Sequence, residues 1–228
     1  MGANDDYSIS VNINLLRKYH VIEGWMLCLI FGGRMPSVAR VFKAAVIVFP
    51  NVEELDFVGV WEVLGTTQHL PKEEYFQART LGTVSDPIKC AHGLTLISDE
   101  TIENLSKYDV IIAPGGPGIY QAMKDEDLLR EIRQAYECRK LVCSVCTGAF
   151  ILANAGILKE KRATTYHTEV EKLSKYGAVP SRERVVVDDN VITGAGVAAS
   201  MDVGLKIVEI LLGKESARKV AEWIEYLP

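Results

Sequence analysis

Beyond its first forty or so residues, the chain alternates apolar runs of strand length with stretches of helical spacing. "KAAVIVF" (Lys43–Phe49), "DVIIAPGG" (Asp109–Gly116) and "KLVCSV" (Lys140–Val145) are nearly continuous apolar segments, as in strands buried on both faces. Between the last two, "GIYQAMKDEDLLREIRQAYECR" repeats Ile119, Met123, Leu128, Ile132 and Tyr136 along one side of a helix. Strand–helix–strand alternation of this kind predicts an α/β fold, a mostly parallel sheet with helices on both faces. "RVVVDDNVIT" (Arg184–Thr193) breaks the rhythm with two β-branched runs about a polar centre, which predicts a hairpin. From Gly196 onward the pattern is that of two helices separated by Gly213.

Residues 1–42 do not share this regularity. Their apolar run, Trp25 to Phe31, is far below the ~20 residues of a membrane-spanning helix. Arg17-Lys18 before it and Ser37-Val38-Ala39 after it loosely imitate a signal peptide, but the apolar core is short and Arg34 interrupts the approach to a cleavage site. We read 1–42 as a poorly ordered N-terminal extension, with Met35 as an alternative initiator, and 43–228 as a single domain.

Composition narrows the partners. The chain is 48% hydrophobic and 24% charged, with a formal net charge of -5. No dense Lys/Arg stripe interrupts the mixed charge, so neither nucleic acid nor a membrane is expected as a partner. Five cysteines, an odd number, do not form a disulfide framework. A reducing, cytoplasmic location is expected.

The chemistry concentrates at "LVCSVCTGAF" (Leu141–Phe150), where a strand pattern ends on Cys146 and a helix opens. In doubly wound sheets ligands sit at the carboxyl ends of the strands. A sharp strand–turn–helix there presents Cys146 as a nucleophile elbow, the cysteine analogue of the serine version. The helix start is expected to lower the thiol pKa from about 8.5 and favour thiolate. Thr147 offers a hydroxyl and an N–H suited to an oxyanion. "PGGPG" (Pro114–Gly118) ends the preceding strand similarly, and the Gly116 N–H is a candidate second donor; Pro117 has none.

Cys143 and Cys146 also satisfy C-x-x-C. A thioredoxin-type pair needs both sulfurs at a helix start, and zinc needs a second half-site; Cys143 is therefore read as a small buried hydrophobe, and no metal is expected. Asp56 precedes a helical run of Phe57, Trp61 and Leu64, so its plain reading is a helix N-cap. Beside Cys146 it would instead be a carboxyl of raised pKa, able to donate a proton near neutrality. His167 falls in a loop at the active end, as a substrate-binding residue or as a partner of Cys146. Ile119, Tyr120, Tyr166 and Val197 are candidates to line a small apolar pocket, although such residues are usually core.

"VFPNVEELDFVGVWEVL", "SVCTGAFILANAGILKEKRATT" and "ERVVVDDNVITGAG" together resemble the ThiJ/PfpI superfamily, and within it the isocyanide hydratase branch, from about Lys43 to the C-terminus. The resemblance implies a flavodoxin-like three-layer sandwich of the class I glutamine amidotransferase-like fold, a nucleophilic Cys146 and a homodimer, with no cofactor. Peptidase-like members place His directly after the nucleophile, where this chain has Thr147, as the hydratases do. The hydratase-like acid falls on Asp56. Val60 departs from the Pro common in these relatives. The implied reaction is hydration of an isocyanide to an N-substituted formamide through a thioimidate on Cys146. The alternatives are a glyoxalase or deglycase acting on reactive carbonyls, or a non-enzymatic cysteine sensor of redox stress or of a ligand.

Overall fold

The apolar runs form the middle of the sheet. In the computed structural model, which describes residues 40–71 and 74–226, β1 is Arg40–Val48 and its last five side chains are buried. The expectations placed on residues 1–39 lie outside the described residues. The other strands are β2 (Glu74–Gly82), β3 (Ile88–Lys89), β4 (Thr95–Leu96), β5 (Glu100–Thr101), β6 (Val110–Ala113), β7 (Leu141–Val145), β8 (Arg162–Ala163), β9 (Val179–Pro180), β10 (Val185–Asp188) and β11 (Val191–Gly194). Seven of them make one sheet in the order β10-β11-β7-β6-β1-β2-β5. All neighbours in it run parallel except β10 and β11, which pair antiparallel across Asp189-Asn190 as the hairpin pattern predicts. Asp189 accommodates the tight turn with φ +56.

The helices are α1 (Glu54–Thr66), α2 (Ile119–Ala122), α3 (Glu126–Glu137), α4 (Ala149–Asn154), α5 (Ala199–Leu212) and α6 (Lys214–Trp223). They cover both faces of the sheet, giving the three-layer flavodoxin-like sandwich. One group is α1, α5 and α6; α3 packs with α4 in the other. The single helix expected between β6 and β7 is broken in two. Asp125 takes an extended conformation and accepts the Asp127 and Leu128 N–H groups, so it caps a new helix rather than continuing the old one. The two helices expected in the C-terminal region are present, with Gly213 at φ +88 between them. Phe49, Phe76, Ile111, Ile112 and Leu64 are among the large side chains fully buried between the layers.

Topology places the site. From β1 the chain winds outward through β2 to β5, then returns to β6 and winds the other way through β7 and β11. The winding therefore reverses between β1 and β6, the kind of switch point at which open α/β sheets bind ligands. The segments leaving the carboxyl ends of β1, β6, β7 and β11 carry Asp56, Gly115-Gly116, Cys146-Thr147 and Val197 respectively. Among the described residues no helix is long and apolar enough to cross a membrane.

Candidate active site

Cys146 opens a single 3₁₀ turn, Cys146–Gly148, between β7 and α4. Its φ is +56, a left-handed conformation that a side chain adopts only when its surroundings hold it there. Two hydrogen bonds do so. The Cys146 N–H donates to the Ala195 carbonyl at 2.8 Å, and the Thr165 hydroxyl donates to the Cys146 carbonyl at 2.7 Å. Gly148 completes the elbow by close approach: a Cβ there would stand 2.0 Å from the Ala113 carbonyl oxygen. The sulfur-bearing residue is 7% exposed.

Asp56 is not the helix cap that its position in the sequence predicts. Glu53 is the N-cap residue and α1 begins at Glu54, which puts Asp56 inside the first turn. Its carboxyl is wholly buried, and Oδ2 accepts the Gly115 N–H at 2.8 Å from across the switch point. The other oxygen, Oδ1, is buried with no hydrogen-bond partner. The Cys146 thiol is the neighbouring side chain that acts on this carboxyl. Burial pushes the Asp56 pKa up to about 7; the Gly115 N–H opposes the rise, Glu53 adds to it through its charge, and the Cys146 thiol works against it.

The same burial acts on the Cys146 thiol, against the expectation of a depressed pKa. The Cys146 pKa is pushed up to about 11, first by desolvation and then by the Asp56 charge. The Thr147 and Val197 N–H groups and the Thr147 hydroxyl act on the sulfur in the opposite direction without overcoming it. The physical reason is that α4 spans only Ala149–Asn154 behind a 3₁₀ turn, so a weak dipole faces a strong desolvation term. Cys143 is fully buried in β7 and burial alone drives its thiol higher still, in keeping with the hydrophobic reading. Among the described residues Cys90, Cys138, Cys143 and Cys146 are all free thiols.

The remaining predicted residues separate. The Gly116 N–H donates to Thr147 Oγ1 at 3.2 Å rather than pointing at an open oxyanion position, so the β6 loop steadies the residue after Cys146. His167 is exposed, and its ring leans on Tyr166 with centroids 4.4 Å apart rather than on the sulfur. Tyr166 in turn covers Gly196 beside Val197. Ile119 and Tyr120 do line a cavity of about 210 Å³, together with Met123, Thr147, Phe150 and Tyr176. Val197 enters the site through its backbone rather than as a pocket wall. A larger groove of about 450 Å³ lies between α5 and α6, lined by Leu205 and Ala217 but by none of these site residues.

Sequence reasoning missed Glu53, Gly115, Thr165 and the Val197 N–H. The doubled acidic pair Glu53-Glu54 was the one local signal available. Among the described residues, Glu53, Glu54 and His92 bring ligand-type atoms within 4.8 Å of one another. These groups already engage locally: His92 Nε2 lies 3.1 Å from Glu53 Oε1, and Glu54 Oε1 accepts the His92 and Leu94 N–H groups.

Comparison with known proteins gives the family. Residues 42–210 match the DJ-1/PfpI family. The chain belongs to that family. Within it, the chain is 36% identical over 182 residues to the isonitrile hydratase of Pseudomonas putida, covering 80% of this chain and 77% of that one. It is 28% identical over 182 residues to the glutathione-independent glyoxalase DJR-1.2 of Caenorhabditis elegans, covering 78% of this chain and 94% of the relative. A ThiJ/PfpI family protein from Pseudomonas syringae superposes with a TM-score of 0.75 at 30% identity, over 84% of this chain and 77% of the other. Fold and family thus agree with the resemblance carried by the Cys146 and Asp56 motifs.

Proposed function

We propose that this DJ-1/PfpI protein is a cysteine-dependent hydratase that converts a small isocyanide to an N-substituted formamide. The observation that carries the reading is the buried Asp56–Cys146 pair, with Thr147 rather than histidine after the sulfur. Similarity to the Pseudomonas putida isonitrile hydratase supports it. With Asp56 near 7 and Cys146 near 11, the pair holds one proton over the intervening range. When Asp56 takes that proton, Cys146 is left as thiolate, steadied by the Thr147 and Val197 N–H groups. The thiolate attacks the terminal carbon of R–N≡C, the S–C bond forms, and Asp56 gives its proton to that carbon, leaving the thioimidate R–N=CH–S-Cys146. Water then adds to this carbon; Asp56 accepts one of its protons and the nitrogen takes up another. Collapse to R–NH–CHO breaks the S–C bond, and Asp56 returns the proton to sulfur. The net change is the addition of one water to the isocyanide. The reaction as written uses no metal or organic cofactor.

A second reading, glyoxalase-type chemistry on a reactive carbonyl, is favoured by the similarity to DJR-1.2 and uses the same sulfur. A panel of isocyanides, methylglyoxal and peptides separates the two. Formamide production by the wild type that disappears in Cys146→Ala is the expected result; turnover of methylglyoxal alone would overturn the hydratase reading. Failure of every substrate would favour a cysteine sensor.

As partner, we propose a second copy of the chain. Leu55 and Val58 on α1 are 39% and 41% exposed, and Leu94 and Ile97 around β4 are 50% and 78% exposed. The Glu54 carboxylate ties these two elements together through the Leu94 N–H. Such a face suits self-association. Light scattering of wild type and Val58→Lys tests it, with a dimer that weakens in the variant as the expected outcome.

A further inference from the structure

Thr165 can hold the Cys146 carbonyl only if its own backbone is held. Thr164 and Thr165 follow β8, which pairs with β9 in a two-stranded ribbon apart from the seven-stranded sheet, so the ladder of that sheet does not fix them. Side-chain bonds fasten the segment to the sheet instead. The Arg162 N–H donates to Asp188 Oδ2 at 2.9 Å on the exposed side. The Thr164 N–H donates to Thr193 Oγ1 at 2.9 Å in the interior, one residue from Thr165. Thr164, Thr165 and Thr193 are each 1% exposed or less, so water does not compete for these groups.

Thr193 is itself firmly mounted. It lies inside β11, opposite Ser144 of β7 on one side and Val186 of β10 on the other. Two residues further along the chain, the Ala195 carbonyl accepts the Cys146 N–H at 2.8 Å. Both bonds that clamp the strained Cys146 backbone therefore lead back to the same end of β11. One comes directly through Ala195, and the other comes through Thr193, Thr164 and Thr165 in turn. Valine would match the shape of Thr193 and also favours strands; what it lacks is the acceptor oxygen.

We propose that Thr193 is a positioning residue for Cys146, its hydroxyl oxygen setting the Thr165 bond that holds the elbow in its left-handed conformation. Thr193 acts through Thr165, not on the sulfur. The inference rests on Cys146 as the reacting group, not on the substrate that it attacks.

Alkylation of Cys146 by iodoacetamide at pH 8.5, followed by mass spectrometry of the Cys146 peptide, reads the elbow without turnover. The S–C bond forms as iodide leaves and the thiol proton passes to solvent. Thr193→Val is expected to slow the reaction about two- to tenfold, the worth of one hydrogen bond, because the sulfur loses its alignment with the Thr147 and Val197 N–H groups. Thr193→Ser keeps the oxygen and is expected to react at the wild-type rate, even where the lost methyl lowers its melting temperature. Because the two threonines act in series, Thr165→Val is expected to slow the reaction by a similar factor, and the double variant no further. A rate in Thr193→Val that is unchanged or faster, or two losses that multiply in the double variant, would overturn the proposal. So would a loss in Thr193→Ser equal to that in Thr193→Val. Should Thr193→Val not fold, hydrogen exchange of the Thr164 amide is read in the wild type and in Thr193→Ser. Slow exchange is expected in both, and exchange as fast as that of exposed loop amides would overturn the proposal. If the alkylation rates follow this pattern but no isocyanide is hydrated, the role of Thr193 stands and the hydratase reading falls.

Discussion

Asp56 and Cys146, ninety residues apart in the chain, meet at the carboxyl ends of β1 and β7, where the thiol and a wholly buried carboxyl act on each other. Each group is shifted in the same direction, toward keeping its proton, because burial penalises both charged forms. In the proposed reaction the pair acts as one unit with a proton to move.

Asp56→Asn keeps an oxygen to accept the Gly115 N–H but removes the transferable proton. Formamide production is expected to fall about 10²- to 10⁴-fold, the usual range for a lost acid–base group. Loss of the Asp56 charge also removes one cause of the raised Cys146 pKa. Alkylation of Cys146 by iodoacetamide near pH 8 is then expected to quicken. A more reactive sulfur in a less active enzyme is the signature; undiminished turnover would remove Asp56 from the mechanism.

The pH profile follows from the proton count. Below about 7 both groups are protonated and no thiolate forms; above about 11 the pair has no proton left to transfer. The kcat/KM for an isocyanide is expected to rise with pH through about 7 and to fall again toward 11. A profile that declines through 7 would show that the doubly protonated pair is the working form.

Stability should run the other way across the lower limb. The folded pKa of Asp56 lies above its ordinary 3.8, so the fold favours the protonated carboxyl. That contribution is complete below the ordinary value and is lost as pH rises through about 7. The rise of about three units corresponds to about 4 kcal/mol. Wild type is expected to melt lower at pH 8 than at pH 5 by more than Asp56→Asn does, as calorimetry of the two would show.

Thr165 tests the strained elbow. Thr165→Val preserves shape while removing the hydroxyl that holds the Cys146 carbonyl. A buried carbonyl left without its donor costs about 1–3 kcal/mol. The variant is expected to lose that much stability in urea denaturation and to lose turnover together with it, because φ +56 at Cys146 is no longer held. Full activity in a destabilised protein would confine Thr165 to folding.

What the sequence determined by itself was what depends on short range. Buried strands announce themselves as apolar runs, and β1, β6 and β7 lie where those runs are. The β10–β11 hairpin, the two C-terminal helices and Cys146 at a strand end were legible for the same reason: each is a periodicity or a turn within a few residues. The break between α2 and α3 escaped because apolar spacing continues through a residue whose carboxylate caps the next helix. Tertiary structure alone decided the geometry of the candidate site. Asp56 stops being a cap and takes the place of the proposed acid only when the β6 loop brings the Gly115 N–H to it, and Thr165 and Val197 matter only because their loops close on Cys146. The raised thiol, opposite to the sequence expectation, has the same origin. Proximity to a helix start is written in the chain, but the desolvation that outweighs it exists only once the strand ends have converged and excluded water.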